Sequence, residues 1–137
     1  MSGGQKQKVV IAGTLAMKPQ CIVLDEPTSM LDPMGRKEVI DAVTQLNQQE
    51  KITIILITHY LDEIINADYV YVMNQGKIAF EGNTEYVLNQ EELLSECGLK
   101  LPPIIKLNKI LEKSSRVKEG RAFTSMELAK KILESMK

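Results

Sequence analysis

The chain has 137 residues, 44% of them hydrophobic and 26% charged, with 17 Lys and Arg against 18 Asp and Glu. That length supports one domain with a sizeable core. The near-neutral balance excludes both the basic footprint of a nucleic-acid binder and a polybasic membrane-surface run.

The two cysteines, Cys21 and Cys97, fit no metal-ligand spacing and read as free thiols of a reducing compartment. Apolar stretches such as Ile52 to Ile57 are far too short to span a bilayer, and the first residues lack the charged-then-apolar layout of a signal peptide. The chain is therefore expected to be cytosolic, with any membrane association made through a partner.

In chain order, Gln5 to Met17 is predicted helical, with Val9, Ala12, Leu15 and Ala16 on its apolar side and Pro19 as its stop. CIVLD follows, a continuous apolar run without polar alternation, which predicts a strand buried on both faces as in parallel sheets. Asp32 before Pro33 predicts an N-cap and a first helical turn. The helix after it carries Val39, Val43 and Leu46 on one stripe, beside Ile40, and fades into NQQEK. ITIILIT repeats the buried-strand pattern, and LDEIINA predicts a short helix. YVYVM and KIAFEG flank Asn74-Gln75-Gly76, a hairpin signal. Strand, helix, strand, helix and hairpin make the grammar of an α/β domain with a mainly parallel sheet.

The composition changes after Gly82. Glu91 to Cys97 predicts a helix ended by Gly98. Leu101-Pro102-Pro103 is a stiff break, after which Ile104, Leu107 and Leu111 form a helical stripe, and SSRVKEGR reads as an exposed link. Thr124 and Glu127 predict a capping box, with Phe123 and Leu128 placed as a hydrophobic staple. Leu128, Ile132 and Met136, with Ala129 and Leu133, give the last helix one apolar face. That face packs either on its own domain or on a partner.

Three features carry chemistry, each with a plain structural alternative. Asp25-Glu26 ends a strand where open parallel sheets bind ligands. One carboxylate there suits Mg²⁺ held through its waters and the other a general base; alternatively the pair is a polar strand end entering a turn. His59, the single histidine, stands at the matching end of the second strand and suits a phosphate oxygen and a water; alternatively it makes a structural hydrogen bond. Ser2-Gly3-Gly4 precedes a helix, where free N–H groups and the helix dipole favour an anion; alternatively it is a loop and a cap.

Taken together, SGGQ, CIVLDEPTSMLD and a strand ending in His59 resemble the nucleotide-binding subunits of ABC transporters over roughly Met1 to Gly82. SGGQ matches the signature motif, with Met1 where the family has leucine. CIVLD and Glu26 match the Walker B strand and catalytic glutamate, Ser29-Met30-Leu31-Asp32 the D-loop, and His59 the switch histidine. The resemblance implies that Asp25 binds the Mg²⁺ of Mg-ATP, that Glu26 activates the hydrolytic water, and that His59 contacts the γ-phosphate and that water. It further implies that Ser2, Gly3, Gly4 and Gln5 contact an ATP held mainly by the other subunit, and that Ser29 and Asp32 lie at the dimer interface.

The fold it implies is α/β, a partial P-loop NTPase (RecA-like) ABC ATPase core with a mainly parallel sheet and a small helical carboxy-terminal extension. Residues 1–88 are expected to form the ATPase part and 89–137 the extension, expected to serve dimerisation. The phosphate-loop pattern GxxxxGK[ST] occurs nowhere in the 137 residues, so the chain is expected to be the carboxy-terminal half of a subunit, truncated and inactive alone.

In the tail, GLKLPPIIKL and FTSMELAKKI resemble the extension of energy-coupling factor transporter ATPases, importers of vitamins and of transition metals such as cobalt and nickel; AGTLAMKP and SMLDPMGRKEV point to the same group. The partners implied are a second ABC ATPase subunit in a homo- or heterodimer, a transmembrane coupling protein and a substrate-binding membrane protein, with no nucleic acid. The implied location is peripheral, on the cytoplasmic face of the cell membrane. Two other classes stay open: a soluble ABC ATPase without transport, and a non-catalytic remnant acting as an interaction module.

Overall fold

The structure, a computed structural model, describes residues 9–14, 16–114, 117, 120 and 122–135. It divides into two compact units, Met1–His59 and Tyr60–Lys137.

The first unit has helix α1 (residues 9–14), strand β1 (Cys21–Asp25), helix α2 (Pro33–Glu50) and strand β2 (Thr53–Ile57). β1 and β2 pair in parallel with Cys21 opposite Thr53 and Asp25 opposite Ile57. A parallel pair needs a crossover connection, and α2 supplies it. As expected, α2 starts on Asp32, whose carboxylate accepts from the Gly35 N–H at 2.8 Å, with proline in the first turn. It ends where Lys51 takes a left-handed conformation (φ 56°) and donates its N–H to the Asn47 carbonyl. Val39 and Val43 bury against Ile11, flanked by Leu24, Leu31, Leu46 and Ile54.

Two expectations are corrected in this unit. The strands are not buried on both faces: Ile22 is buried while Val23 is 59% exposed, and Ile55 and Ile57 are exposed too. The cluster around Ile11, Val39 and Val43 covers one face, so alternate side chains of these uniformly apolar strands point away from it. In α1 the buried residue is Ile11; Val9, Ala12 and Ala16 are exposed, and Leu15 lies outside the described residues.

The second unit begins with turns where LDEIINA predicted a helix. Glu63 N–H donates to the Tyr60 carbonyl and Ala67 N–H to the Ile64 carbonyl, three-residue steps of a turn series. The Thr84 hydroxyl donates to the Ala67 carbonyl and ties this series down. Strands β3 (Val70–Asn74) and β4 (Lys77–Gly82) form the expected antiparallel hairpin, with a register irregularity between Val72 and Met73. Gln75 and Gly76 both have positive φ (49° and 75°), the conformation of a tight two-residue hairpin turn.

Helix α3 (Thr84–Asn89) is an element that the sequence reading lacked, although Asn83 carries a cap signal and accepts from the Tyr86 N–H at 2.8 Å. Helix α4 (Glu91–Glu96) ends at Gly98 as expected. That glycine has φ 74° and donates to the Ser95 carbonyl, while Leu99 N–H donates to the Leu94 carbonyl. The paired bonds satisfy the last carbonyls of the helix, and the positive φ is what glycine supplies there.

Helix α5 (Pro103–Lys113) buries Ile105 and Asn108, whereas Leu107, expected on its apolar stripe, is exposed. Val117, in the stretch expected to be an exposed link, is buried. Helix α6 (Ser125–Ser135) has the predicted capping box: Glu127 N–H donates to the Thr124 hydroxyl at 3.2 Å and the Glu127 carboxylate accepts from the Thr124 N–H at 3.0 Å. Leu128 is buried, but Ala129 and Leu133 are exposed, so the single apolar face expected for α6 splits in two; Met136 lies outside the described residues.

Lys131 reaches from α6 to the Asn108 side chain, the Glu112 carboxylate and the Gly120 carbonyl. Residues on both sides of position 88 share one core, from Leu61, Ile64 and Val72 through Val87, Leu88 and Leu94 to Leu101, Ile105 and Phe123. Among the described residues no helix is long and apolar enough to cross a membrane.

Candidate functional site

The parallel register of β1 and β2 brings their carboxyl ends side by side. Asp25 is the last residue of β1, and the ladder continues one step further because the Glu26 N–H donates to the Ile57 carbonyl at 2.9 Å. His59 lies two positions beyond the end of β2. The result is a direct contact between two residues 33 positions apart: His59 Nδ1 sits 2.7 Å from Glu26 Oε1.

Glu26 has φ 45°, a left-handed conformation that costs a non-glycine residue about 1–3 kcal/mol and is found where a side chain must be aimed. Its side chain is 35% exposed, yet Oε2 is buried with no hydrogen-bond partner among the described residues. A buried carboxylate oxygen without a donor is costly, and a bound water or a hydrated cation would relieve it.

The loop after Glu26 is tightly folded. Pro27 and Thr28 are buried, the Ser29 N–H and hydroxyl both donate to the Glu26 carbonyl, and the Leu31 N–H donates to the Thr28 carbonyl at 3.0 Å. The chain then enters α2 at the Asp32 cap. A Cβ on Gly35 would lie 2.8 Å from the Asp32 carboxylate oxygen, so glycine there keeps the cap intact. Ser29, Asp32 and Met30 are exposed on this loop, Met30 at 97%.

Of the residues singled out from sequence, the structure brings Glu26 and His59 into contact, sets Asp25 beside them on the exposed strand end, and carries Ser29 and Asp32 on the following loop. Ser2, Gly3, Gly4 and Gln5 lie outside the described residues. A cleft of about 310 Å³ runs between α1 and β1, lined by Val10, Ile11 and Thr14 and ending at Asp25 and Pro27; Glu26 and His59 do not line it. Sequence reasoning missed the left-handed backbone of Glu26 and the role of Gly35. The second was signalled by glycine three residues after a capping aspartate.

Magnesium usually keeps several waters and takes one or two protein carboxylates together with substrate phosphates. Asp25, exposed at the strand end, and the donor-less Oε2 of Glu26 suit that arrangement. Among the described residues no group of three or more His, Cys, Asp or Glu side chains forms a direct metal cage.

The family description "ABC transporter" matches residues 1–29. The chain is 52% identical over 113 residues to the energy-coupling factor transporter ATP-binding protein EcfA1 of Caldanaerobacter subterraneus subsp. tengcongensis, an alignment covering 82% of this chain and 41% of that protein. Among solved structures it resembles cbiO1 from Clostridium perfringens, described as part of the ABC transporter complex cbiONQ. There the TM-score is 0.63 and the identity 39%, covering 80% of this chain and 44% of the other. It also resembles the dimeric bacterial ABC transporter cassette MJ0796, with a TM-score of 0.54 and 28% identity, covering 61% of this chain and 36% of that one. The chain thus spans less than half the length of the relatives it matches. With the strand-end carboxylates and histidine arranged as described, the chain belongs to the ABC transporter ATP-binding proteins and carries the sequence character of their energy-coupling factor members.

Proposed function

We propose that these residues form the Walker B, D-loop and switch portion of an ATP-hydrolysing subunit that energises membrane import of a vitamin or a transition-metal ion such as cobalt. The observation that carries the reading is the Glu26–His59 contact at the carboxyl ends of two parallel strands, beside Asp25.

Phosphoryl transfer is catalysed mainly by positioning and by stabilising charge, and Mg²⁺ when bound supplies charge neutralisation at the phosphates. Asp25 would hold that ion through its waters. Glu26 would accept a proton from the attacking water, with its strained backbone aiming the carboxylate beyond the strand end. His59 would orient the water and contact the terminal phosphate. Ser2, Gly3, Gly4 and Gln5 would present N–H and side-chain donors to a nucleotide held by a second ATPase subunit, and Ser29 and Asp32 would line that dimer interface. The exposure of Ser29, Met30 and Asp32 supports an interface role for the loop, and the dimeric form of the MJ0796 cassette supports the pairing.

The same reading gives residues 1–88 to the ATPase part and 89–137 to an extension that joins the two ATPases. It makes the assembly peripheral to the cytoplasmic face of the cell membrane, bound to a transmembrane coupling protein and a substrate-binding membrane protein. The similarity to EcfA1 supports the energy-coupling factor branch.

The test is Glu26→Gln in the full-length subunit, which should lower ATP hydrolysis about 10²–10⁴-fold, the usual range for a general base. Turnover close to wild type would reassign the base. A polypeptide of these 137 residues alone, which contains no GxxxxGK[ST] pattern, is expected to show no tight ATP binding by calorimetry. Micromolar affinity would overturn that expectation.

A further inference from the structure

Helix α6 is held on α5 by charge as well as by apolar packing. Leu128 is its buried apolar residue, while Met126, Ala129 and Leu133 are exposed. Three residues after Leu128 the inward position is taken by Lys131, whose side chain is only 11% exposed. An ammonium has three hydrogens to donate and accepts none. Those of Lys131 meet three acceptors: the Asn108 amide oxygen at 2.9 Å, the Glu112 carboxylate, and the Gly120 carbonyl at 2.8 Å.

The cluster is closed. Gly120 donates its N–H to the Glu112 carboxylate at 3.0 Å, and its carbonyl also accepts from the Asn108 amide at 3.3 Å. The same amide donates to Glu112 at 3.1 Å. Each of the four residues is therefore bonded to the other three. Two of them stand on α5, one on α6 and one between the helices. Gly120 has φ 148°, a conformation that residues with a Cβ rarely adopt. A largely buried charge that loses its partners is costly, so a half-made cluster is worse than either the full set or none.

Helix α5 has its own tie to the rest of the unit. Ile105 lies in the shared core, and the Lys109 ammonium donates to the Leu88 carbonyl at 3.3 Å. Loss of the four-residue cluster leaves both of those contacts in place.

We infer that Lys131 is the clasp of a detachable strap: Gly120 and helix α6 lock onto α5 together and release from it together, while α5 and the core around Leu88 and Leu94 stay folded. Local opening of this kind draws on the least stable part of a unit, and here one charged cluster sets its threshold. Where the extension joins two ATPases, as proposed above, the clasp would set the geometry of that joint; the strap itself rests on the cluster alone.

Hydrogen exchange of the full-length subunit, read by mass spectrometry on its peptides, tests the coupling from both ends. Lys131→Met keeps an apolar stem and removes the charge. It should speed exchange in α6 and in peptides containing Gly120 by the same factor, about 10–100-fold, the size expected when hydrogen bonds to a charged group are lost. Gly120→Ala forces a Cβ onto the φ 148° backbone and should loosen α6 in the same way, although it leaves every charged side chain in place. Peptides of α3 and α4 should exchange as in the wild type in both variants. Loosening confined to the mutated segment overturns the inference, as does a wild-type Gly120 peptide that already exchanges freely. A variant that unfolds the whole unit overturns it too, because a strap opens alone. Sedimentation of the same samples reads the joining of two subunits separately: coupled exchange in a monomer sinks the proposed joint and leaves the clasp standing, and uncoupled exchange in a dimer does the reverse.

Discussion

The two units of the chain put their packing and their proposed chemistry in different places. Tyr60–Lys137 has a shared core in which Val87, Leu88, Leu94 and Ile105 are almost wholly buried, whereas Met1–His59 gathers Ile11, Val39 and Val43 and leaves Val23, Ile55 and Ile57 exposed. Yet Asp25, Glu26 and His59 all belong to the thinly packed unit. The difference teaches that placing these side chains depends less on a deep core than on backbone register. Parallel ladder bonds, extended by the Glu26 N–H to Ile57 carbonyl bond, fix which residue emerges at each strand end. Local stability should differ accordingly, with slower amide exchange around Leu88 and Leu94 than in β1 and β2.

The largest effect that tests this comparison is chemical. Glu26→Gln should cost about 10²–10⁴-fold in hydrolysis by the full-length subunit while leaving its thermal melting nearly unchanged, which would separate site from core. Next comes Leu88→Ala, a truncation in the well-packed unit, expected to destabilise by about 2–5 kcal/mol in denaturant unfolding. A loss under about 1 kcal/mol would show that the second unit is no better packed than the first.

A smaller change is expected from Asp32→Ala, which removes the cap bond to Gly35 and should cost about 1 kcal/mol, read as loss of helicity and a lower midpoint. An unchanged midpoint would mean that α2 is held by Val39 and Val43 alone.

The second unit has its own pH signature. Burial pushes the Glu112 carboxyl up, but hydrogen bonds from the Lys131 ammonium, the Gly120 N–H and the Asn108 amide outweigh it and hold the group below the ordinary glutamate range. A carboxylate with a depressed folded pKa contributes stability that is fully present above its unfolded pKa. That stability is lost as the pH falls through the folded value. Docking of α6 on α5 should therefore weaken on acidification below the usual carboxylate pKa, and Lys131→Ala should remove most of that dependence. A proton titration of Glu112 followed by NMR checks both outcomes.

Much of this was legible in the residues. The caps at Asp32 and Thr124, the Gln75-Gly76 turn and the Gly98 terminator depend on bonds within a few positions, so local sequence carries them almost entirely. The SGGQ, CIVLDE and His59 order was enough to indicate the family, since those motifs are chemical and tied to strand ends. Helix faces were less legible. In α5 the pattern Ile104, Leu107, Leu111 competes with Ile105 and Asn108; Ile105 joins the shared core and Asn108 turns inward to Lys131, while Leu107 turns outward. LDEIINA has helical spacing but folds as turns, whose Ile64 and Ala67 carbonyls accept from the hydroxyl of Thr84, 20 and 17 residues away.

The sequence by itself determined most element types, apart from the LDEIINA turns and α3, together with the caps and the candidate residues for chemistry, because propensity, capping and turn geometry act over a handful of bonds. Only the tertiary structure decided which faces are buried, and which two of the chemical residues touch. Those outcomes depend on strand register and on contacts between distant segments. The 33-residue separation between Glu26 and His59 is closed by the parallel pairing of their strands, and the 2.7 Å hydrogen bond is made with Glu26 in a left-handed backbone conformation that a non-glycine residue rarely adopts.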